Sequence, residues 1–419
     1  MSSEPKTKPS ESWQPRILAF VCRWCTYAGA DLAGTSRLKY PPNVRVVKLP
    51  CSGRIDPLFL LRGFQMGADG VLVSGCHPGD CHYMTGNYYA RRRWVLFREL
   101  LDFVGFDLAR IHFSWVSAAE GAKFVDIVTK VTEAVRAAGP FPGFAPPADR
   151  RLDLLPGKVA DAGSRNVVTL EGDPIRSDLA EGGVRAVLGY CKGRRPGVLR
   201  PAWVSDPAEL ASLRYAPDAQ PSLVSYLVRR LREEPEGTFG ILAGPTETEA
   251  IDVLEANHQL DRSRVRIYQQ DGATAAKVAK DPWEIYGVPS PDRPAKERWD
   301  FWTAQFAQCM RCSACRQGCP LCVCNRCVSE KTRPRWIDAS PSPAGNWIWN
   351  ITRAFHHAGH CVDCGGCTAA CPAGIPLAAL NQQMKRVAER AFGAAAEGEA
   401  ARRSPLVAYR LEDEAPFIL

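Results

Sequence analysis

The chain has 419 residues, more than one compact core organises, so two to four domains are expected. With 46% hydrophobic residues it is no disordered chain, and the lack of any run of about 18 apolar residues excludes a membrane-spanning helix. The start MSSEPKTKPSESWQP lacks a secretory leader's apolar stretch, and a net charge of +8 spread over this length gives no nucleic-acid footprint, so a cytoplasmic protein is expected.

In chain order, residues 1–15 read as a disordered tail. Three apolar, β-rich runs follow, RILAFVC (Arg16 to Cys22), VRVVKLPC (Val44 to Cys51) and GVLVSGC (Gly70 to Cys76), with helix-like segments between them. A long amphipathic stretch from Tyr88 to Phe106 precedes a fourth, IHFSWVS (Ile111 to Ser117). Strands alternating with helices predict a parallel α/β domain over 16–138. The Pro- and Gly-rich run from Gly139 to Gly157 predicts a linker over 139–165. A second α/β domain, 166–298, has expected strands at VRAVLGYC (Val184 to Cys191), TFGILAG (Thr238 to Gly244) and RVRIYQQ (Arg264 to Gln270). Its helices are expected over Ser222 to Glu233 and Thr246 to Asn257. Residues 299–392 are punctuated by cysteines and end in one helix, Leu377 to Phe392; 393–419 reads as a tail, flexible unless it docks on a partner. The basic runs ARRRW (Ala90 to Trp94) and KGRRPGVLR (Lys192 to Arg200) read as solvated faces or docking surfaces for an acidic partner.

The 17 cysteines cannot form a disulfide framework in a reducing compartment, which makes metal or cluster ligation the default. Cys309, Cys312, Cys315 and Cys319 followed by Pro320 give Cys-x-x-Cys-x-x-Cys-x-x-x-Cys-Pro, repeated at Cys361, Cys364, Cys367, Cys371 and Pro372. In this ferredoxin spacing the fourth cysteine of each run serves the other cluster. One 4Fe-4S cluster is therefore expected on Cys309, Cys312, Cys315 and Cys371, a second on Cys361, Cys364, Cys367 and Cys319, in a ferredoxin-like module. Zinc sites prefer paired Cys-x-x-Cys units to such triplets. Cys322, Cys324 and Cys327 remain. They suit either a third cluster or metal site, with Cys191 the first candidate for a fourth donor, or reduced thiols packing beside the module.

Cys22, Cys25, Cys51, Cys76 and Cys81 each lie at or just past the carboxyl end of an expected parallel strand, where ligands of open α/β sheets bind. Four of the five are expected to hold a 2Fe-2S cluster. His77 and His82 are either hydrogen-bonding neighbours of that cluster or exposed. His356, His357 and His360 are either tuning groups or solvated loop histidines. NWIWN (Asn346 to Asn350) and Trp336 are either partner contacts or core.

CRWCTYAGADLAGTSRLKYPPNVRVVKLPCSGRIDP, with GADGVLVSGCHPGDCHYMTGN, resembles the delta subunit of methyl-viologen-reducing hydrogenase over residues 15–138. That family is a small 2Fe-2S protein wiring a hydrogenase or formate dehydrogenase to heterodisulfide reductase; its archaeal members often carry a further cysteine where Val21 stands. Residues 184–390 resemble the beta subunits of deazaflavin-linked hydrogenases and formate dehydrogenases through CMRCSACRQGCPLCVCNRC, HCVDCGGCTAACPAGIPL and FGILAGPTETEAIDVLEANHQLDRSRVRIYQQDG. The likeness implies a flavin-type middle domain, with Gly244, Pro245 and Thr246 as candidate FAD contacts. In that family Cys-Asp usually follows the proline; here Thr246 and Glu247 do, and Gly272 stands where a cysteine is expected. The expected function is an electron-transfer subunit, without catalytic residues of its own, between hydrogenase- or formate dehydrogenase-like and heterodisulfide reductase-like partners. The alternative is a flavin-dependent dehydrogenase that itself oxidises NAD(P)H or a reduced deazaflavin.

Overall fold

The computed structural model describes residues 13–146, 168–169, 173–195, 197–216, 219–270, 281–393, 404–415 and 417–419. The first lobe is a four-stranded sheet of β1 (Ile17–Cys22), β2 (Val44–Leu49), β3 (Gly70–Gly75) and β4 (Ile111–Trp115) in the order β2-β1-β3-β4, every pair parallel. Its helices are α1 (Thr26–Thr35), α2 (Pro57–Gln65), α3 (Gly86–Phe103) and α4 (Gly121–Ala138). Alternate residues of β1 serve opposite faces: Ile17, Ala19 and Val21 pack with Phe124, Ile127 and Val131 of α4, Phe20 with the α2 and α3 side.

The second sheet runs β10-β9-β6-β8-β5, with β7 also paired to β6: β5 (Val168–Thr169), β6 (Val187–Lys192), β7 (Leu199–Val204), β8 (Arg214–Tyr215), β9 (Phe239–Ala243) and β10 (Val265–Gln269). The three expected strands β6, β9 and β10 are the parallel part; β7 and β8 pair antiparallel to β6. Helices α5 (Asp173–Ala180), α6 (Leu223–Glu233) and α7 (Pro245–Ala256) accompany them. The described residues of the run from Lys192 to Arg200 close β6, turn and open β7, most of them exposed.

The cysteine-rich module contains α8 (Pro282–Tyr286), α9 (Ala295–Ala307), α10 (Ala314–Gln317), α11 (Pro343–His356), α12 (Gly366–Ala369) and α13 (Leu377–Phe392). The sequence leads one to expect only the last of these. Yet α11 opens on a legible signal, Ser342 capping Gly345 N with Pro343 in the first turn. The module shares one continuous core with the α2/α3 face of the first lobe, where Phe97 meets Phe355, Phe103 meets Trp302 and Phe106 meets Trp347. Trp347 and Trp349 are buried and the half-buried Trp336 packs on Phe59, so NWIWN and Trp336 are core and not partner contacts. On its other side Leu321 and Val362 enter the core of the second sheet.

Two expectations change. Of the expected linker, 147–165 lies outside the described residues, but Phe141 and Phe144 pack on Trp299, and Arg110 donates to the carbonyl of Gly139 at 2.8 Å. Of the expected flexible tail, 394–403 lies outside the described residues, while the last stretch docks on the first lobe. Ile418 bridges to Phe113 of edge strand β4, and Phe417 packs on Phe113 and Trp94. The acidic group that the Ala90 to Trp94 run calls for is the chain's own: Arg92 Nη2 donates to Asp413 Oδ1 at 2.9 Å, and Arg91 lies 3.6 Å from the same carboxylate. All three side chains are nearly buried. Burial would raise the Asp413 carboxyl, but the Arg92 hydrogen bond, the Arg410 N–H and both guanidinium charges outweigh it and hold it below the ordinary carboxylate range. A depressed carboxylate stabilises above its unfolded pKa and stops doing so as pH falls through its folded one. Asp413→Asn is expected to cost about 3–5 kcal/mol by stranding two buried guanidiniums. Limited proteolysis should then cut near 404–415 at neutral pH, whereas the native chain should become sensitive there only in acid, below about pH 4.

Candidate metal centres

Parallel strands put their carboxyl ends on one edge, and that edge gathers the first set of thiols. Cys22 ends β1, Cys51 follows β2 by two residues, Cys76 follows β3 directly, and Cys25 and Cys81 stand on the adjoining loops. All five are buried in one contiguous cluster. Cys51 and Cys81 sulfurs lie 3.7 Å apart, Gly53 N–H donates to Cys51 Sγ at 3.4 Å, and Asn87 Nδ2 donates to Cys76 Sγ at 3.8 Å. At the start of α3 a Cβ on Gly86 would stand 2.3 Å from Cys51 Sγ and 3.3 Å from Cys81 Sγ, so glycine is required there by the sulfurs themselves. Asn87 and Gly86 were not singled out from sequence, although TGN at a helix start was visible. The histidines stand apart: His77 Nε2 is 2.8 Å from Glu120 Oε2, and the exposed His82 stacks on Trp24 at 3.7 Å.

Without a cation the five thiols cannot share negative charge. Hydrogen bonds from Cys25, Cys51 and Cys76 drive Cys22 down, and their bonds to Cys22 in turn push Cys25 up to about 12 and Cys51 and Cys76 higher still. Sulfur ligands must be deprotonated, so this soft, dry donor set fits an iron–sulfur group that neutralises them together. Among the described residues no group of three or more His, Cys, Asp and Glu side chains closes on a single point as one metal ion requires.

The second set forms two neighbouring cavities. One is lined by Cys309, Cys312, Cys315 and Cys371 with Trp349, the other by Cys319, Cys361, Cys364 and Cys367 with His357 and Asn381. The fourth cysteine of each run thus stands with the other run's triplet. The two loops curl alike: Arg311 and Ser313 in the first, Asp363 and Gly365 in the second, all have positive φ at matching positions. Only Gly365 takes that conformation freely, and the other three are held there by the surrounding fold. Burial raises the thiols of Cys309, Cys315, Cys319 and Cys361 and pushes Cys367 up to about 12, so these donors too call for a positive centre. Donors to sulfur are ready: Arg353 Nη1 to Cys315 at 3.1 Å, Asn381 Nδ2 to Cys367 at 3.5 Å. Buried His357 lies 3.9 Å from Cys319 Sγ, and His356, at the end of α11, lies 3.3 Å from Asp56 of the first lobe; neither is a solvated loop residue.

Cys322 and Cys327 are close enough to interact electrostatically, Cys324 is exposed, and the Cys191 thiol points at the Lys192 carbonyl on β6. At Gly244, Pro245 and Thr246 the residues do not fit a phosphate-bearing cofactor. The buried Glu247 carboxylate occupies the start of α7, accepting from Gly244 N–H at 3.2 Å and from Tyr215 hydroxyl at 2.8 Å. A carboxylate already fills the helix N-terminus where an anion would bind.

Residues 17–139 match the family model for the methyl-viologen-reducing hydrogenase delta subunit, and residues 308–376 match the 4Fe-4S dicluster domain. The iron-sulfur subunit of the F420-non-reducing hydrogenase vhc of Methanococcus voltae is 47% identical over 31% of this chain and 91% of its own length. The iron-sulfur subunit of the F420-non-reducing hydrogenase of Archaeoglobus profundus is 48% identical over 32% of this chain and 96% of its own. One subunit of the ferredoxin:CoB-CoM heterodisulfide reductase of Methanosarcina mazei is 44% identical over 30% of this chain, covering only 16% of that protein.

Proposed function

We propose that this chain, which belongs through residues 17–139 to the family of the methyl-viologen-reducing hydrogenase delta subunit, is an electron relay in a redox complex. It would carry a 2Fe-2S cluster on four of Cys22, Cys25, Cys51, Cys76 and Cys81 and two 4Fe-4S clusters on the interleaved quartets. The observation that carries the reading is the exchange of Cys319 and Cys371 between the two runs. Clusters bound there supply one-electron chemistry. The chain's own residues keep water out, hold sulfur with N–H donors from Gly53, Asn87, Arg353 and Asn381, and fix the spacing between centres through the shared aromatic core. Cys312 and Met310 are exposed, so the first quartet is where a redox partner would approach.

The names of the relatives make hydrogenase-like and heterodisulfide reductase-like proteins the proposed partners, with a formate dehydrogenase-like donor an alternative to the first. No helix among the described residues is long and apolar enough to cross a membrane, in keeping with the cytoplasmic site proposed here. The likeness of residues 184–390 to deazaflavin-linked beta subunits contributes the two-cluster module to this reading and no flavin, because Glu247 fills the start of α7. The dehydrogenase alternative therefore has no cofactor seat at that turn. Cys322, Cys324 and Cys327 stand outside the proposed clusters, since Cys324 is exposed and Cys191, the candidate fourth donor, faces the Lys192 carbonyl. The anaerobically purified protein should contain about ten iron and ten sulfide per chain by the cluster chemistry above, with no flavin fluorescence after denaturation. Zinc in place of iron, or a stoichiometric flavin, would defeat it.

A further inference from the structure

Arg353 sits in the last turn of α11, only 5% exposed. Its Nη1 donates to Cys315 Sγ at 3.1 Å and its Nη2 to the Cys315 carbonyl at 3.3 Å. Its Nε–H is buried without a partner among the described residues. Sulfur lies on both sides of it: Cys315 of the first quartet accepts from it directly, and one turn on along α11 His357 lines the second cavity 3.9 Å from Cys319 Sγ, so Cys322, Cys319 and Cys367 also attract the same cation. A buried guanidinium without a carboxylate costs several kcal/mol, and a neutral thiol does not repay that. An anionic cluster on each side does.

We propose that Arg353 is a shared positioning and tuning residue whose single guanidinium raises the reduction potentials of both clusters of the module together. The proposal rests on the two quartets holding clusters. Reduction adds an electron to a group already negative, and a fixed cation in a dry site favours that step. The geometry makes the effect common to both centres, with a stronger hold on the first through the Cys315 bond. Asn381, by contrast, donates to Cys367 alone among the described sulfurs.

The test compares wild type with Arg353→Met and Arg353→Lys in the full chain, by mediator titration followed by electron paramagnetic resonance, alongside iron and sulfide counts. In Arg353→Met both clusters should be at least tenfold harder to reduce at a given potential, a downward shift of about 59 mV or more in each for a one-electron couple. Arg353→Lys should lose less, since it keeps the charge and gives up the fork of donors. If Arg353→Met fails to assemble clusters while Arg353→Lys assembles them, the demand for a cation is supported. Unchanged potentials in an assembled Arg353→Met, a shift in only one cluster, or assembly failing equally in both variants would overturn the shared role. A wild-type protein lacking two 4Fe-4S signals would instead defeat the cluster reading, so the two failures are distinct.

Discussion

Cys371→Ser is expected to abolish the cluster on the Cys309 run, whose cysteines lie 56 to 62 positions earlier in the sequence, and to spare the cluster on its own neighbours Cys361, Cys364 and Cys367. The reason is the direction of the chain at each Cys-Pro step. The fourth cysteine of each run leaves its own triplet and stands in the other cavity, so Cys371 completes the set of Cys309, Cys312 and Cys315. Serine oxygen is a harder, poorer ligand for iron than thiolate, and one lost corner exposes the cluster to solvent on a side where Cys312 is already exposed. Cys319→Ser should produce the mirror result. Iron and sulfide should fall by about one 4Fe-4S equivalent in each variant, and the resonance spectra of the two should be complementary. Loss of the Cys361 run's cluster in Cys371→Ser would show that each run closes on itself.

Gly86→Ala should empty the first lobe while leaving the module intact. A methyl group 2.3 Å from Cys51 Sγ overlaps the sulfur, and the backbone has no room to yield, because Gly86 and Gly53 already approach so closely that a Cβ on Gly53 would lie 2.6 Å from Gly86 oxygen. Either α3 shifts, carrying Asn87 away from Cys76, or Cys51 leaves the set. Both are expected to remove the proposed 2Fe-2S spectrum, with Cys51 taken as one of its four ligands because Gly53 N–H already donates to its sulfur, which lies 3.7 Å from that of Cys81. The core under α3 is large, so the fold should survive with a loss of about 1–3 kcal/mol, as for other overpacked sites. Two 4Fe-4S signals without a 2Fe-2S signal is the expected spectrum, and a full 2Fe-2S signal in a folded Gly86→Ala protein would contradict it.

The two variants address the parts of the protein that sequence exposes to different degrees. The parallel first sheet was legible because apolar β-rich runs and intervening helical segments recur, and each expected strand is observed to within two residues at its ends. The helix Leu377 to Phe392 is observed with the bounds expected for it. The antiparallel strands β7 and β8 were missed: Arg214–Tyr215 is too short to show alternation, and Leu199–Val204 contains a proline that argues against a strand. Helix α11 is buried from Gly345 to Phe355, its polar Asn346, Asn350 and Arg353 included, and α9 mixes exposed Lys296 with buried Arg298 and Gln305, so in neither does polarity mark off the solvent face. The flavin reading finds no seat at the start of α7, where Glu247 stands. From the sequence, Gly-Pro-Thr-Glu looks equally like an open turn or a self-capped helix, and only the position of the carboxylate decides.

What the sequence determined by itself was the chemistry: two ferredoxin runs whose spacing is local, and five further cysteines whose place at strand ends follows from parallel pairing. What only the tertiary structure decided was company. The C-terminal segment proved to cover Arg91, Arg92 and β4, the first lobe and the module proved to share one core, and Arg353 of α11 proved to donate to Cys315. Spacing and periodicity are imposed by bonds a few residues long, and the chain displays them. The burial of a charge or an aromatic ring is settled by whichever distant surface excludes water from it, and nothing in neighbouring residues records that choice.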